Sequence, residues 1–66
     1  MAQFTVVIRG YDRGQVDAAF AKAETFAAAG DTAAAKQVLT RVDFTVVLRG
    51  YDRGQVDAHI KHFLAA

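Results

Sequence analysis

The chain has 66 residues, with no cysteine and no proline, and its eight basic and seven acidic side chains leave a net charge of +1. A chain this short can build one small core, and the absence of cysteine excludes disulfides and thiolate metal sites. The basic residues form no stripe of the kind with which proteins bind nucleic acid, so no nucleic-acid partner is expected. We therefore expect either tight packing or a homodimer to supply the stability that small domains often take from disulfides or metals.

The location of the protein is predicted from its apolar runs and from its first residues. The longest apolar runs fall far short of the roughly 20 residues that a membrane-spanning helix needs. The first residues, Met1 to Phe4, lack the charged and apolar regions of a signal peptide. A cytoplasmic protein is the expectation.

Internal repetition organises the sequence. Residues 4–20 read FTVVIRGYDRGQVDAAF and residues 44–60 read FTVVLRGYDRGQVDAHI, at an offset of 40 residues without a gap. Two copies are too few for a solenoid, which generally needs about three repeats. We therefore predict a single domain, residues 1–66, in which the two copies close one core and residues 21–43 form a helical connector.

Each copy begins with a predicted strand. Residues 4–8 are β-branched and aromatic, a composition that suits a half-buried strand. Alternation along that strand places Ile8, and Leu48 in the second copy, on the side that faces the core. Gly10 and Gly50 then break the strands, either through a positive φ or through a close approach of two backbones.

A helix follows each predicted strand. The Asp12 side chain is placed to accept a hydrogen bond from a backbone N–H in the first helical turn, and the Gln15 side chain is placed to reach back to Asp12. This arrangement is known as a capping box. Asp52 and Gln55 repeat the arrangement, and Gly30 is the natural end of the first helix, after which the connector continues as a second helix. The sequence thus predicts an α+β fold, a duplicated β-strand–turn–helix unit of order β-α-α-β-α with a short two-stranded antiparallel sheet covered by helices.

The polar residues do not indicate catalysis. The chain has no serine, and its repeated aspartates are accounted for by two helix caps and by two ion pairs between residues four apart. His59 and His62 lie three residues apart on a helix, but zinc needs three or four ligands and no further ones converge there. We therefore predict neither an enzyme nor a metal or cofactor site, and a metal-binding or enzymatic protein that uses His59 and His62 is the least favoured alternative. The two ion pairs are Arg13 with Asp17 and Arg53 with Asp57.

Arg9 and Arg49 are the candidate binding residues. Each stands at a strand end beside a glycine and a tyrosine, where an arginine can bind an anion, stack on the tyrosine or pair with a carboxylate. A contact that fixes the turn is favoured, because its partners are already present in the repeat. Tyr11 and Tyr51 are expected to be half-buried, with each hydroxyl at the rim of the core.

The repeated motif also resembles a known family. Arg-Gly-Tyr-Asp-x-x-x-Val-Asp, preceded by an apolar run and followed by Ala-x-apolar, is similar to the N-terminal domain of DivIVA-family proteins, especially the actinobacterial forms. The similarity covers about half of the chain, residues 4–20 and 44–60. It implies a scaffold of cell division or polar growth, which gathers at curved membrane at poles and septa and recruits other proteins there. The family's membrane-contacting pair, an aromatic residue and an arginine, corresponds here to Ile8 with Arg9 and Leu48 with Arg49.

Two functional interpretations follow from this resemblance. The first is a non-catalytic adaptor that binds a protein of the division or growth machinery. The second is a peripheral membrane-binding module, at poles or septum, that uses Arg9, Arg49 and their apolar neighbours. Strand alternation favours the first, because it places Ile8 and Leu48 in the core rather than at a membrane.

Overall fold

The computed structural model of the chain describes residues 4–65. Five elements follow one another in the order β-α-α-β-α, which confirms the predicted α+β fold. They are β1 (Val6–Tyr11), α1 (Arg13–Ala28), α2 (Thr32–Arg41), β2 (Val46–Tyr51) and α3 (Arg53–Ala65).

The two strands form the predicted antiparallel ribbon. As β1 is followed from Val6 to Tyr11, its partners on β2 run backwards from Tyr51 to Val46. The five pairings in that order keep one register, and one further pairing, between Tyr11 and Tyr51, departs from it. Tyr11 thus has partners at both ends of β2, so the two strands bend around each other.

The bend depends on two glycines and one arginine. A Cβ atom on Gly10 would collide with the backbone carbonyls of Gly50 and Tyr51, and one on Gly50 would collide with those of Gly10 and Tyr11. The sequence left two explanations for these glycines, a positive φ or a close approach of two backbones, and the structure shows the close approach. The positive φ belongs instead to Arg9, at 64°, a conformation that costs a non-glycine residue on the order of 1–2 kcal/mol.

The strands consequently continue further than predicted. The sequence indicated that the strand of each copy ends before its glycine, but β1 continues to Tyr11 and β2 to Tyr51. The extra residues are held by pairing between the two copies, which the local sequence of one copy does not reveal.

The helix caps are as predicted. The Asp12 carboxylate accepts a hydrogen bond from the backbone N–H of Gln15 at 3.0 Å, and Asp52 accepts from Gln55 at the same distance. At the other end of α1, Gly30 has a φ of 82°, and the N–H of Asp31 donates to the carbonyl of Phe26 at 2.9 Å. This is the Schellman ending for which a glycine is the natural residue.

The predicted role of the glutamine in the capping box is wrong. The Gln15 side chain accepts from the backbone N–H of Thr45 at 2.7 Å and donates to the Thr45 hydroxyl at 3.2 Å. The backbone N–H of Asp12, which a capping box would satisfy, already donates to the Thr45 carbonyl at 2.9 Å. Gln55 makes the equivalent pair of bonds to Thr5, at 2.7 and 3.1 Å. Both glutamines therefore join the two copies instead of closing their own helices.

The core lies between the helices and the inner side of the ribbon. Aromatic rings line that inner side, with Phe4 against Tyr51 at 5.3 Å between ring centroids and Phe44 against Tyr11 at 5.2 Å. Each of these ring pairs again joins one copy to the other. The buried apolar side chains come from all three helices: Val16, Phe20, Ala23, Ala35, Leu39 and Val56.

Candidate functional site

The outer side of the ribbon carries large apolar side chains in contact with water. Ile8 and Leu48 are each 74% exposed, which corrects the expectation that alternation would bury both of them. Ile8 pairs with Arg49 across the ribbon, so apolar and cationic side chains of the two strands lie next to one another. We name the four residues Ile8, Arg9, Leu48 and Arg49 the ribbon patch.

The two-residue period holds over the first three residues of each strand, but its phase differs from the predicted one. Phe4 is half-buried, yet it precedes β1, which begins at Val6. Val6 and Ile8 are exposed and Val7 between them is half-buried, and the second copy repeats this pattern from Val46 to Leu48. The outer side of the ribbon therefore carries apolar side chains that the sequence placed in the core.

Two tyrosines anchor the ribbon to the helices. The Tyr11 hydroxyl donates to the Asp57 carboxylate, at 2.9 Å to Oδ1 and 3.2 Å to Oδ2, and the Tyr51 hydroxyl donates to Asp17 at 2.9 Å. Burial and then the Asp57 hydrogen bond raise the pKa of Tyr11, whereas the hydrogen bond to Asp17, followed by burial, raises the pKa of Tyr51. Both tyrosines are half-buried, as expected, and their hydroxyls serve as structural links between copies.

These links replace the ion pairs that the sequence indicated. Within residues 4–65, Asp17 and Asp57 form no ion pair with the arginine four positions before them, and each accepts a hydrogen bond from a tyrosine hydroxyl instead. The tyrosine lies on the other copy, so spacing within one helix gave no sign of this bond.

Arg9 and Arg49 remain available for a partner. In the part of the chain that the structure describes, neither guanidinium makes a hydrogen bond or an ion pair, so the turn-fixing contact that the sequence favoured is absent. Arginines that are free of internal partners and lie beside exposed aliphatic side chains are suited to anionic groups on an apolar surface.

A shallow recess lies beside each arginine of the ribbon patch. The recess near Arg9 has a volume of about 380 Å³ and also contains Arg53 and Asp57, and the one near Arg49 has a volume of about 390 Å³ and also contains Arg13 and Asp17. Because each recess combines two arginines with aspartates, neither is a simple anion site. The arginine side chains of this surface are therefore spread around the ribbon patch and not gathered in one pocket.

The described residues give little support for a metal site or a membrane-spanning helix. No group of three or more histidine, cysteine or acidic side chains within residues 4–65 could hold a metal ion. The His59 ring packs against Phe4 and Phe20, at 5.6 and 5.1 Å between centroids, and so belongs to the aromatic rim of the core. Among the helices of the described chain, none has the length and apolar character needed to cross a bilayer.

Comparisons with protein-family models, with curated proteins and with solved structures found no match for this chain. The resemblance to DivIVA-family domains therefore depends on the repeated motif alone, and what it implies stays a prediction. The geometry of the ribbon patch is independent of that resemblance.

Proposed function

We propose that this chain is a non-catalytic module that attaches to an anionic membrane surface through the ribbon patch. The observation that carries the proposal is the pair Ile8 and Leu48, each 74% exposed, beside two arginines without internal partners. The apolar side chains would enter the boundary between headgroups and acyl chains, and the guanidiniums would contact lipid phosphates.

The strength of such an attachment can be estimated. Burying one large aliphatic side chain contributes about 1.5–3 kcal/mol, and each arginine near an anionic surface contributes about 1 kcal/mol. One copy alone would bind weakly, since even a single myristoyl chain gives only marginal, reversible attachment. Bringing both copies into one ribbon doubles the contact without a second chain.

The resemblance supports the same surface. The positions that it assigns to membrane contact, Ile8 with Arg9 and Leu48 with Arg49, are the four residues of the ribbon patch. It also implies a peripheral location on curved membrane at poles or septum, which we include in the proposal.

The test is flotation of the purified protein with vesicles of phosphatidylcholine, with and without phosphatidylglycerol, at low and at physiological salt. We expect flotation with the anionic vesicles, weakened by salt, and a loss of at least about tenfold for Arg9→Glu/Arg49→Glu. Ile8→Ser/Leu48→Ser should also weaken flotation and leave the fold intact, because both side chains are exposed.

A matched control uses two exposed cations on the helices. Lys22→Glu/Arg41→Glu changes the net charge by the same amount but leaves the ribbon patch untouched. At physiological salt, where screening acts over about 8 Å, this control should float like the unaltered protein. The proposal fails if the unaltered protein does not float, or if the two charge reversals weaken flotation equally.

A second candidate function is the adaptor that binds a protein of the division or growth machinery. A separate observation favours it: an open, largely apolar groove between α1 and α2. Crosslinked pull-down from the native host tests this role, with Lys22→Glu/Arg41→Glu as the comparison. An adaptor should retrieve a division or growth protein, and the role is refuted if no such protein is enriched over a tag-only control.

A further inference from the structure

A groove of about 510 Å³ runs between α1 and α2 on the outside of the helical pair. Its first wall extends from Ala18 to Phe26 on α1, and its second from Ala34 to Arg41 on α2 with the adjoining Val42. Each wall is about 11–12 Å long at 1.5 Å per helical residue, or about two helical turns. The groove is therefore an elongated trough and not a closed cavity.

The groove is lined by small and large apolar side chains. Ala19 and Ala34 line it together with the larger side chains of Phe26, Val38 and Val42. All five side chains are half-buried, so their apolar surface is only partly removed from water. An apolar partner that entered the groove would complete this burial.

The charges at the groove have one sign. Lys22 stands on the α1 wall and Arg41 on the α2 wall, both exposed, and no acidic residue lines the groove. Neither cation makes an ion pair or a hydrogen bond within residues 4–65. A partner with apolar residues in its centre and acidic residues on both sides would complement this arrangement.

We propose that the groove receives an amphipathic helix from a partner protein, with an apolar stripe at i, i+3, i+4 and i+7 and acidic residues on both flanks. A two-turn trough between two helices is suited to a third helix packed lengthwise, and the stripe supplies the side chains that fill it. The inference rests on the second candidate function, the adaptor, and does not depend on the ribbon patch.

The groove also predicts how many partners bind. It requires α2, which packs beside α1, and within the described residues the second copy has no helix in the equivalent place. In the second copy, moreover, His59 and His62 stand where the groove has Ala19 and Lys22. One chain therefore takes one partner helix, although the motif itself occurs twice.

The test uses a fluorescently labelled peptide of about four helical turns, with leucines at the stripe positions and glutamates on both flanks. Two control peptides have lysines in place of the glutamates, or the same composition without a stripe. We expect the acidic peptide to bind the full chain, measured by fluorescence anisotropy at physiological salt, and both controls to bind more weakly by about tenfold or more.

The decisive variant reverses the groove's own charges. Lys22→Glu/Arg41→Glu should weaken binding of the acidic peptide by about tenfold and strengthen binding of the lysine peptide. Arg9→Glu/Arg49→Glu should change the affinity for neither peptide. Because both altered residues are exposed, circular dichroism should show an unchanged fold.

Three outcomes overturn the inference: no binding of the acidic peptide, equal binding of the acidic and lysine peptides, or acidic-peptide binding that is insensitive to the groove reversal. If the pull-down nevertheless enriches a division or growth protein, the adaptor role stands and only the groove is refuted.

Discussion

The two copies have nearly the same sequence and the same strand, cap and helix, but they differ in how well their helices are covered. Phe20 on α1 is 6% exposed, whereas Ile60, its counterpart on α3, is only half-buried. The difference arises because α2 packs against α1 and is attached to the first copy. Local sequence therefore determines the elements, and the neighbouring helix determines how deeply each one is buried.

The close contact between the backbones of Gly10 and Gly50, which we call the crossing, should be the feature in which a substitution destabilises the protein most. The loss should also be similar in the two copies. Gly10→Ala and Gly50→Ala each place a methyl group on a backbone carbonyl, which cannot move aside like a side chain. We expect each change to cost about 3 kcal/mol or more, a large part of the roughly 5 kcal/mol available to a domain of this size. Urea unfolding followed by circular dichroism measures the loss.

Gly14→Ala and Gly54→Ala are the controls for the crossing. There the nearest atom is the Oδ1 of the capping aspartate, at 3.3 Å, and the site is helical. These changes should alter the free energy of unfolding by at most about 1 kcal/mol, in either direction. If Gly10→Ala and Gly50→Ala differ from one another by more than that, the two copies do not share the crossing equally.

The covering by α2 should appear as an unequal response to truncation. Phe20→Ala removes a buried ring and should destabilise the protein by about 3 kcal/mol, whereas Ile60→Ala should cost roughly 1–2 kcal/mol because part of that side chain is already in water. Val16→Ala and Val56→Ala provide the internal standard, since both side chains are 0% exposed and should lose similar amounts. Equal losses at Phe20 and Ile60 would contradict the account of α2.

The smallest effect concerns the tyrosine links and alkaline pH. Both pKa values are raised in the folded state, so the folded protein holds its phenolic protons more tightly than the unfolded chain does. The stability from these links is fully present below the unfolded pKa of about 10 and is lost as the pH rises through the higher folded pKa. Denaturant midpoints measured from pH 8 to 11 should fall above pH 10.

Tyr11→Phe/Tyr51→Phe isolates this effect. The variant removes both hydroxyls and retains the rings that pack on Phe44 and Phe4. It should be less stable at pH 8 and less sensitive to alkaline pH than the unaltered chain. An unchanged alkaline slope would mean that other groups cause the loss.

Much of the fold could be predicted because its signals are local. Asp12 and Asp52 mark helix starts, Gly30 marks a helix end, and each acts through neighbours a few residues away. The exposure of Ile8 and Leu48 could not be predicted in the same way. Alternation shows which residues share a side of a strand but not which side meets the core, and here Val7 and Val47, rather than Ile8 and Leu48, lie on the half-buried side.

The same limit applies to the site. The position of Arg9 and Arg49 beside the glycine and tyrosine makes them binding candidates in the sequence, but their lack of hydrogen-bond and ion-pair partners within residues 4–65 is a property of the folded chain. The groove gave no sequence signal, because alanines in a helix indicate good helix formers and not an empty space between two helices.

The hydrogen bonds of Gln15 and Gln55 have a consequence for how the chain folds. They join residues 30 and 50 positions apart, so neither strand–helix unit is complete until the other has arrived. Such distant pairing makes folding slower than in a helical bundle of equal size. Because the two copies are nearly identical, a copy from a neighbouring molecule offers the same partners, and only the short tether through α2 gives the correct copy its higher effective concentration. Because of the duplication, the yield of correctly folded monomer should rise when the protein is refolded at lower concentration. Two dissimilar halves would not show this dependence.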